Sequence, residues 1–209
     1  MSMAMTVLRN ALLWVLSLGV ALFSWRFMVG GVEATMAFVA YHAQLRPIAF
    51  FAHVGFAPIA LALVPFQLWQ GLRDRRPRVH RALGRIYGLA ILISGAGGLW
   101  LAINTQAGPV AALGFGLLAV LWLGITGRGI ILAMRGDRPA HRRWMIRSIA
   151  LTLAAVTLRI QLPVSMILDI PMETAYPAIA WLCWVPNLII AELVLRWPRQ
   201  PVLKLRAPA

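Results

Sequence analysis

Acidic residues are nearly missing from this chain: six Asp and Glu stand against 20 Lys and Arg in 209 residues, and charged residues of both signs make up 12%. A soluble domain carries roughly 25% charged residues, so there is too little polar surface here to cover a water-facing exterior. Cysteine is limited to Cys183, which excludes an internal disulfide. No His and Cys cluster of zinc-finger spacing occurs, and no glycine-rich phosphate loop. Nor does the sequence set a nucleophile beside a base, or two carboxylates together, so hydrolase chemistry has no visible constellation.

What the chain has is apolar length, with 61% hydrophobic residues and a mean hydropathy of +0.78. Six segments reach the about 20 residues needed to cross a bilayer: 11–29, 47–70, 85–103, 110–134, 148–168 and 176–195. The expectation is an all-α membrane protein with one six-span domain over 1–196 and a short, basic, disordered tail over 197–209. Arg9, six Arg from Arg73 to Arg85, five from Arg135 to Arg147, and Arg196, Arg199, Lys204 and Arg206 put 16 of the 20 basic residues on one face. By the positive-inside rule that face and both termini are cytoplasmic. The net charge of +14 therefore reports topology, with the lipid bilayer as partner and no nucleic acid. Trp69, Trp144 and Trp197 fall at inner ends and Trp25 and Trp100 at outer ends, where interfacial anchors belong. The first apolar run continues through Trp25 to Val29 past a poor cleavage site at Gly19 and Ala21, which favours a retained anchor over a signal peptide.

Two basic loops repeat an order of residue types: Asp74-Arg75-Arg76-Pro77-Arg78-Val79-His80-Arg81 and Asp137-Arg138-Pro139-Ala140-His141-Arg142. Proline is favoured at a first helical position, so spans three and five are expected to start at Pro77 and Pro139. His80 and His141 then lie in matching places at similar depth. Spans two to five read as a duplicated hairpin forming a four-helix core, with spans one and six around it.

Gly84 and Gly88 follow His80 at i+4 and i+8, leaving one helix face bare. Either a flat group fills it or another helix packs close, as small residues at this spacing allow. In the first case His80 and His141 would be the axial ligands of a b-type haem, with Arg81, Arg85 and Arg142 neutralising its propionates or touching lipid. Arg159 lies mid-span, about 27 Å along the helix from His141, where a charge costs at least about 2.5 to 3.5 kcal/mol. Its expected partners are His53, Gln161 and Asp169. The site either binds an anionic or carbonyl-bearing ligand such as a quinone headgroup, or closes helix packing around Pro163. His53 reads as a proton carrier or ligand, or as packing on backbone carbonyls of a kinked span. His42 is expected to be solvated, Arg128 to snorkel, and Glu192 to pair with an arginine.

The run His80-Arg81-x-x-Gly84-Arg85-x-Tyr87, with Pro65-Phe66-Gln67 before it and His141-Arg142-x-Trp144-Met145-x-Arg147-Ser148 and Thr157-Leu158-Arg159 after it, resembles a bacterial membrane family known as domain of unknown function 2306. The resemblance covers about residues 50–165 and implies a multi-pass protein of the bacterial inner membrane, without an activity to carry over. More loosely, His80 and His141 are similar to one haem-ligand pair of the cytochrome b561 type of electron carrier. That class uses a second pair, and span four has no histidine to partner His53, so one haem at most is implied. The first functional reading is thus a haem protein exchanging electrons with quinone or a partner protein; the second is a cofactor-free membrane protein with a binding, transport or assembly role. A transporter built around Arg159 ranks last, because the sequence shows no paired broken helices.

Overall fold

The computed structural model describes residues 3–197, and the expected tail, apart from Trp197, lies outside them. Every regular element among the described residues is helical. Six stretches are long and apolar enough to cross a membrane: Met3–Gly30, Pro47–Leu68, Pro77–Ile103, Gly108–Met134, Arg138–Ile167 and Met172–Arg196. They are called spans one to six below.

Spans two to five each carry a proline in the first two helical positions, where a missing N–H leaves no intrahelical bond unmade. Span three starts at Pro77 as expected. Span five starts at Arg138, one residue before Pro139, and the Asp137 carboxylate caps it by accepting the Ala140 N–H at 3.0 Å. Both spans are therefore longer than the 85–103 and 148–168 read from hydropathy, because the proline and the cap carry the helix into the basic loops.

Spans two, three, four and five pack each on the next, and two also meets five; span one lies on two and five, span six on four and five. Spans two and three bring their backbones together at Gly97, where a Cβ would stand 2.6 Å from the Ala49 carbonyl oxygen and 3.3 Å from the Ala52 Cβ. Small residues permit such approach where lipid supplies no hydrophobic drive between helices. At the arginine-rich end, Glu192 of span six accepts two bonds from Arg147 of span five. This pair meets the expectation for Glu192.

Spans five and six are interrupted, contrary to the sequence reading. Span five divides at Leu153 into Arg138–Thr152 and Ala154–Ile167. Thr152 and Thr157 flank the division, each bonding its hydroxyl to the carbonyl four residues earlier, Ser148 at 3.0 Å and Leu153 at 3.3 Å, a pattern that bends helices. Span six divides into Met172–Leu182 and Val185–Arg196. Pro186 explains it, since it has no N–H for the Leu182 carbonyl and its ring crowds that group. Two side chains answer the freed carbonyls: Gln161 Nε2 donates to Leu182 O at 3.2 Å and Asn187 Nδ2 to Cys183 O at 3.1 Å. Asn187 Nδ2 also stands 3.0 Å from Thr157 Oγ1, so one amide ties both interruptions. Side chains must do this because lipid offers no water.

Between spans one and two the chain folds into short turns, Val32–Thr35, Ala37–Val39 and Ala40–Leu45, which cap the end away from the arginine-rich loops. Tyr41 anchors the cap, its hydroxyl accepting the Gln106 N–H at 2.9 Å and meeting Thr105 Oγ1 at 3.2 Å. His42, expected in water, is 5% exposed. Burial first, then the charges of Arg46 and His53, push its pKa down to about 4, so the ring is neutral at pH 7. In the unfolded chain it takes up its proton near 6.5. The cap should therefore be fully stable above that pH and lose stability as pH falls toward 4. With the intrinsic exchange rate at each pH divided out, the protection of residues 40–45 should fall at pH 4.5 in wild type but much less in His42→Phe; an equal fall in both would remove His42 as the cause.

Candidate functional site

The polar residues of the bundle form three layers. At the arginine-rich end, His80 and His141 lie close enough for one charge to act on the other, as their matching positions suggested. The face between them is not open, however. A Cβ on Gly88 would meet Ile130 Cδ1 of span four at 2.6 Å, and one on Gly84 would meet Gln67 Oε1 at 3.6 Å. The His141 ring is held toward span four by its Nδ1–H, which donates to the Gly129 carbonyl at 2.7 Å. Gln67 also reaches the His80 carbonyl at 3.4 Å, while His80 Nδ1 is buried without a partner among the described residues. Packed in this way, these residues do not fit a haem plane between spans three and five. Gly84 lies in ordinary contact with Gln67 and Gly88 closer against Ile130, and Arg81, Arg85 and Arg142 are exposed at this end.

The middle layer is a knot of hydroxyls that the sequence reading did not assemble. Tyr87, 1% exposed, places its hydroxyl 2.9 Å from Ser148 Oγ and 2.8 Å from Thr152 Oγ1. Thr126 Oγ1 lies 2.7 Å from Ser148 Oγ, and Trp122 Nε1 donates to Thr152 Oγ1 at 2.9 Å. One proton order satisfies every group. The Thr152 proton is committed to the Ser148 carbonyl, so Tyr87 donates to Thr152; Ser148 then donates to Tyr87, and Thr126 to Ser148. The chain ends on a backbone carbonyl, which makes it a clasp across spans three, four and five with no onward path for a proton. Tyr87 and Ser148 stood in the sequence motifs, and Thr152 lies one helical turn beyond Ser148. Trp122 and Thr126 gave one signal, polar atoms in an apolar span away from its ends.

The third layer lies under the cap. His53 Nδ1 is 2.9 Å from the Ser94 carbonyl, and since a carbonyl only accepts, Nδ1 carries the proton and Nε2 of the neutral ring is an acceptor. Gly98 makes room for it, a Cβ there falling 2.7 Å from His53 Nδ1. The charge of Arg159 acts on His53, and Arg159 in turn lies within electrostatic reach of Arg26, Tyr176 and Cys183. Tyr176 is walled by Phe38 of the cap and Phe115 of span four, at ring distances of 4.8 and 5.3 Å. Of the expected partners of Arg159, Gln161 is spent on Leu182, its Oε1 buried without a bond among the described residues. Asp169 is not paired with it either. The ion pairs among the described residues are Arg73 with Asp74 and Arg147 and Arg196 with Glu192. Arg159 has one hydrogen bond there, at 3.4 Å to the Ala155 carbonyl of its own helix. A half-buried guanidinium with five donors thus keeps one long bond among the described residues within a membrane span, in electrostatic reach of His53.

No group of three or more His, Cys, Asp or Glu side chains that could hold a metal occurs among the described residues. Searches of curated proteins and of solved structures returned no match, so neither links the chain to the cytochrome b561 type. One family comparison does match, over residues 50–195, reaching from span two into span six and including the first two layers and His53, Arg159 and Tyr176 of the third. The chain belongs to the family described as predicted membrane protein, domain of unknown function 2306.

Proposed function

We propose that this protein binds an apolar molecule bearing an anionic or carbonyl oxygen, held by Arg159 beneath the cap. The observation that carries the reading is the near-unsatisfied guanidinium in a membrane span without a carboxylate partner. Intramembrane arginine is costly and marks substrate or ligand paths unless paired. The interruption of span six supports it, since discontinuous helices surround binding sites in membrane transport proteins, and Arg159 lies on the half of span five beyond its bend at Leu153. Tyr176 and His53 Nε2 would orient the headgroup, and Phe38 and Phe115 would face the apolar part. If the arginine-rich end is cytoplasmic, the site serves the outer leaflet. Titrating the purified chain with a long-chain carboxylate and with a short-tailed quinone, read by intrinsic tryptophan fluorescence, should show saturable binding of at least one. Neither binding would overturn the reading.

The haem reading requires Ile130 and Gln67 to leave the face between the two histidines. Protein from haem-sufficient cells is therefore expected to lack a Soret band. A b-type reduced-minus-oxidised spectrum near one haem per chain, lost in both His80→Ala and His141→Ala, would reinstate that reading.

A further inference from the structure

Span four has a second face that its core packing leaves free. Trp122, Ile125, Thr126 and Gly129 point inward and are buried, whereas Gly124, Arg128, Ile131 and Arg135 are exposed on the opposite side. With Gly127 and Leu132 these residues line a groove of about 490 Å³. Its floor is open: a Cβ on Gly124 or Gly127 would meet nothing within 4 Å. At the arginine-rich end the groove carries two arginines whose backbone positions are about 10 Å apart along the axis, a span that two long side chains can close onto one anion. The Arg128 guanidinium is steered by the Trp144 ring, with its carbon 4.8 Å from the ring centre. Neither arginine has an ion pair among the described residues.

The geometry points to a binding site for an anionic phospholipid, its phosphate on Arg128 and Arg135 and an acyl chain along Gly124 and Gly127. Charge complementarity selects the occupant. Arginines near the end of a membrane span attract acidic headgroups, and a bare glycine floor gives an acyl chain close contact with the backbone of span four. A second copy of the chain is the natural rival, because glycine faces also pair helices. A two-fold axis through this face would set Arg128 against Arg128 and Arg135 against Arg135, so like charges oppose it.

Native mass spectrometry of the full chain, released from micelles holding equal phosphatidylglycerol and phosphatidylcholine, tests the site. Wild type should retain phosphatidylglycerol preferentially. The double variant R128Q/R135Q should lose roughly 25-fold in that preference, about five-fold for each charge removed near a headgroup. G127L keeps both charges and fills the open floor, so it should retain roughly four-fold less lipid for each methylene it displaces while remaining folded. R75Q/R76Q, which removes two exposed charges elsewhere, should stay within about two-fold of wild type. Equal retention by wild type and the double variant, an equal loss in R75Q/R76Q, or a dimer that G127L dissociates would each overturn the proposal.

Discussion

Arg159→Leu should reduce ligand affinity by roughly 10- to 150-fold, since a hydrogen bond to a charged group contributes about 1.5 to 3 kcal/mol. The same variant should leave the ligand-free protein as stable as wild type or more so. A charge at this depth costs at least about 2.5 to 3.5 kcal/mol, and the one bond to Ala155 is too long to offset it. These opposite signs separate the two roles open to the residue. A packing hub would lose stability on substitution and leave affinity alone; a ligand holder does the reverse. Arg159→Lys keeps the charge but loses the planar fork, so it should fall between wild type and leucine in affinity. Tryptophan-monitored titration and thermal unfolding in one detergent supply both readings.

Tyr87→Phe should destabilise the bundle by about 1 to 3 kcal/mol, from two hydrogen bonds at about 0.6 kcal/mol on average and 1.7 at most in membranes, plus a cost for the donor Ser148 left without its acceptor. The ring keeps its volume, so a cavity does not enter. Thr126→Val should cost about 0.6 kcal/mol, because Thr126 only begins the chain of donors. A double-mutant cycle between positions 87 and 152 should show coupling. Denaturant titration in mixed micelles measures it. Additive effects, or a Tyr87→Phe loss no larger than that of Thr126→Val, would mean the clasp does not order itself around Tyr87.

Much of the architecture was legible because bilayer crossing is a constraint on composition alone. Six apolar runs, Pro77 and Pro139 at helix starts, and the pairing of Glu192 needed only local rules. The interruptions were not legible. Pro186 stands in span six in plain view, but whether a proline breaks or bends a span depends on what answers its freed carbonyl, and Gln161 comes from another helix. The same holds for His42, whose loop position suggested water until Tyr41 and the turns around it closed over it. Gly84 and Gly88 were ambiguous in sequence because a bare face fits a flat ligand and a neighbouring helix equally; in the fold Gln67 lies against the first and Ile130 against the second. Arg159 was legible as an anomaly, and its lack of a carboxylate partner required the fold. The hydroxyl clasp joins residues from three spans with no shared motif, so only their juxtaposition identifies it.

The most direct test of the Arg159 site is what the protein carries from its own membrane. Wild type and Arg159→Leu should be purified identically, extracted with chloroform and methanol, and the extracts compared by mass spectrometry against protein content. An apolar carboxylate, phosphate or carbonyl compound near one per chain on wild type, and lost from Arg159→Leu while bulk phospholipid stays equal, is the result expected. The same compound in equal amount on both proteins, or bulk lipid alone on both, would contradict a binding site at Arg159.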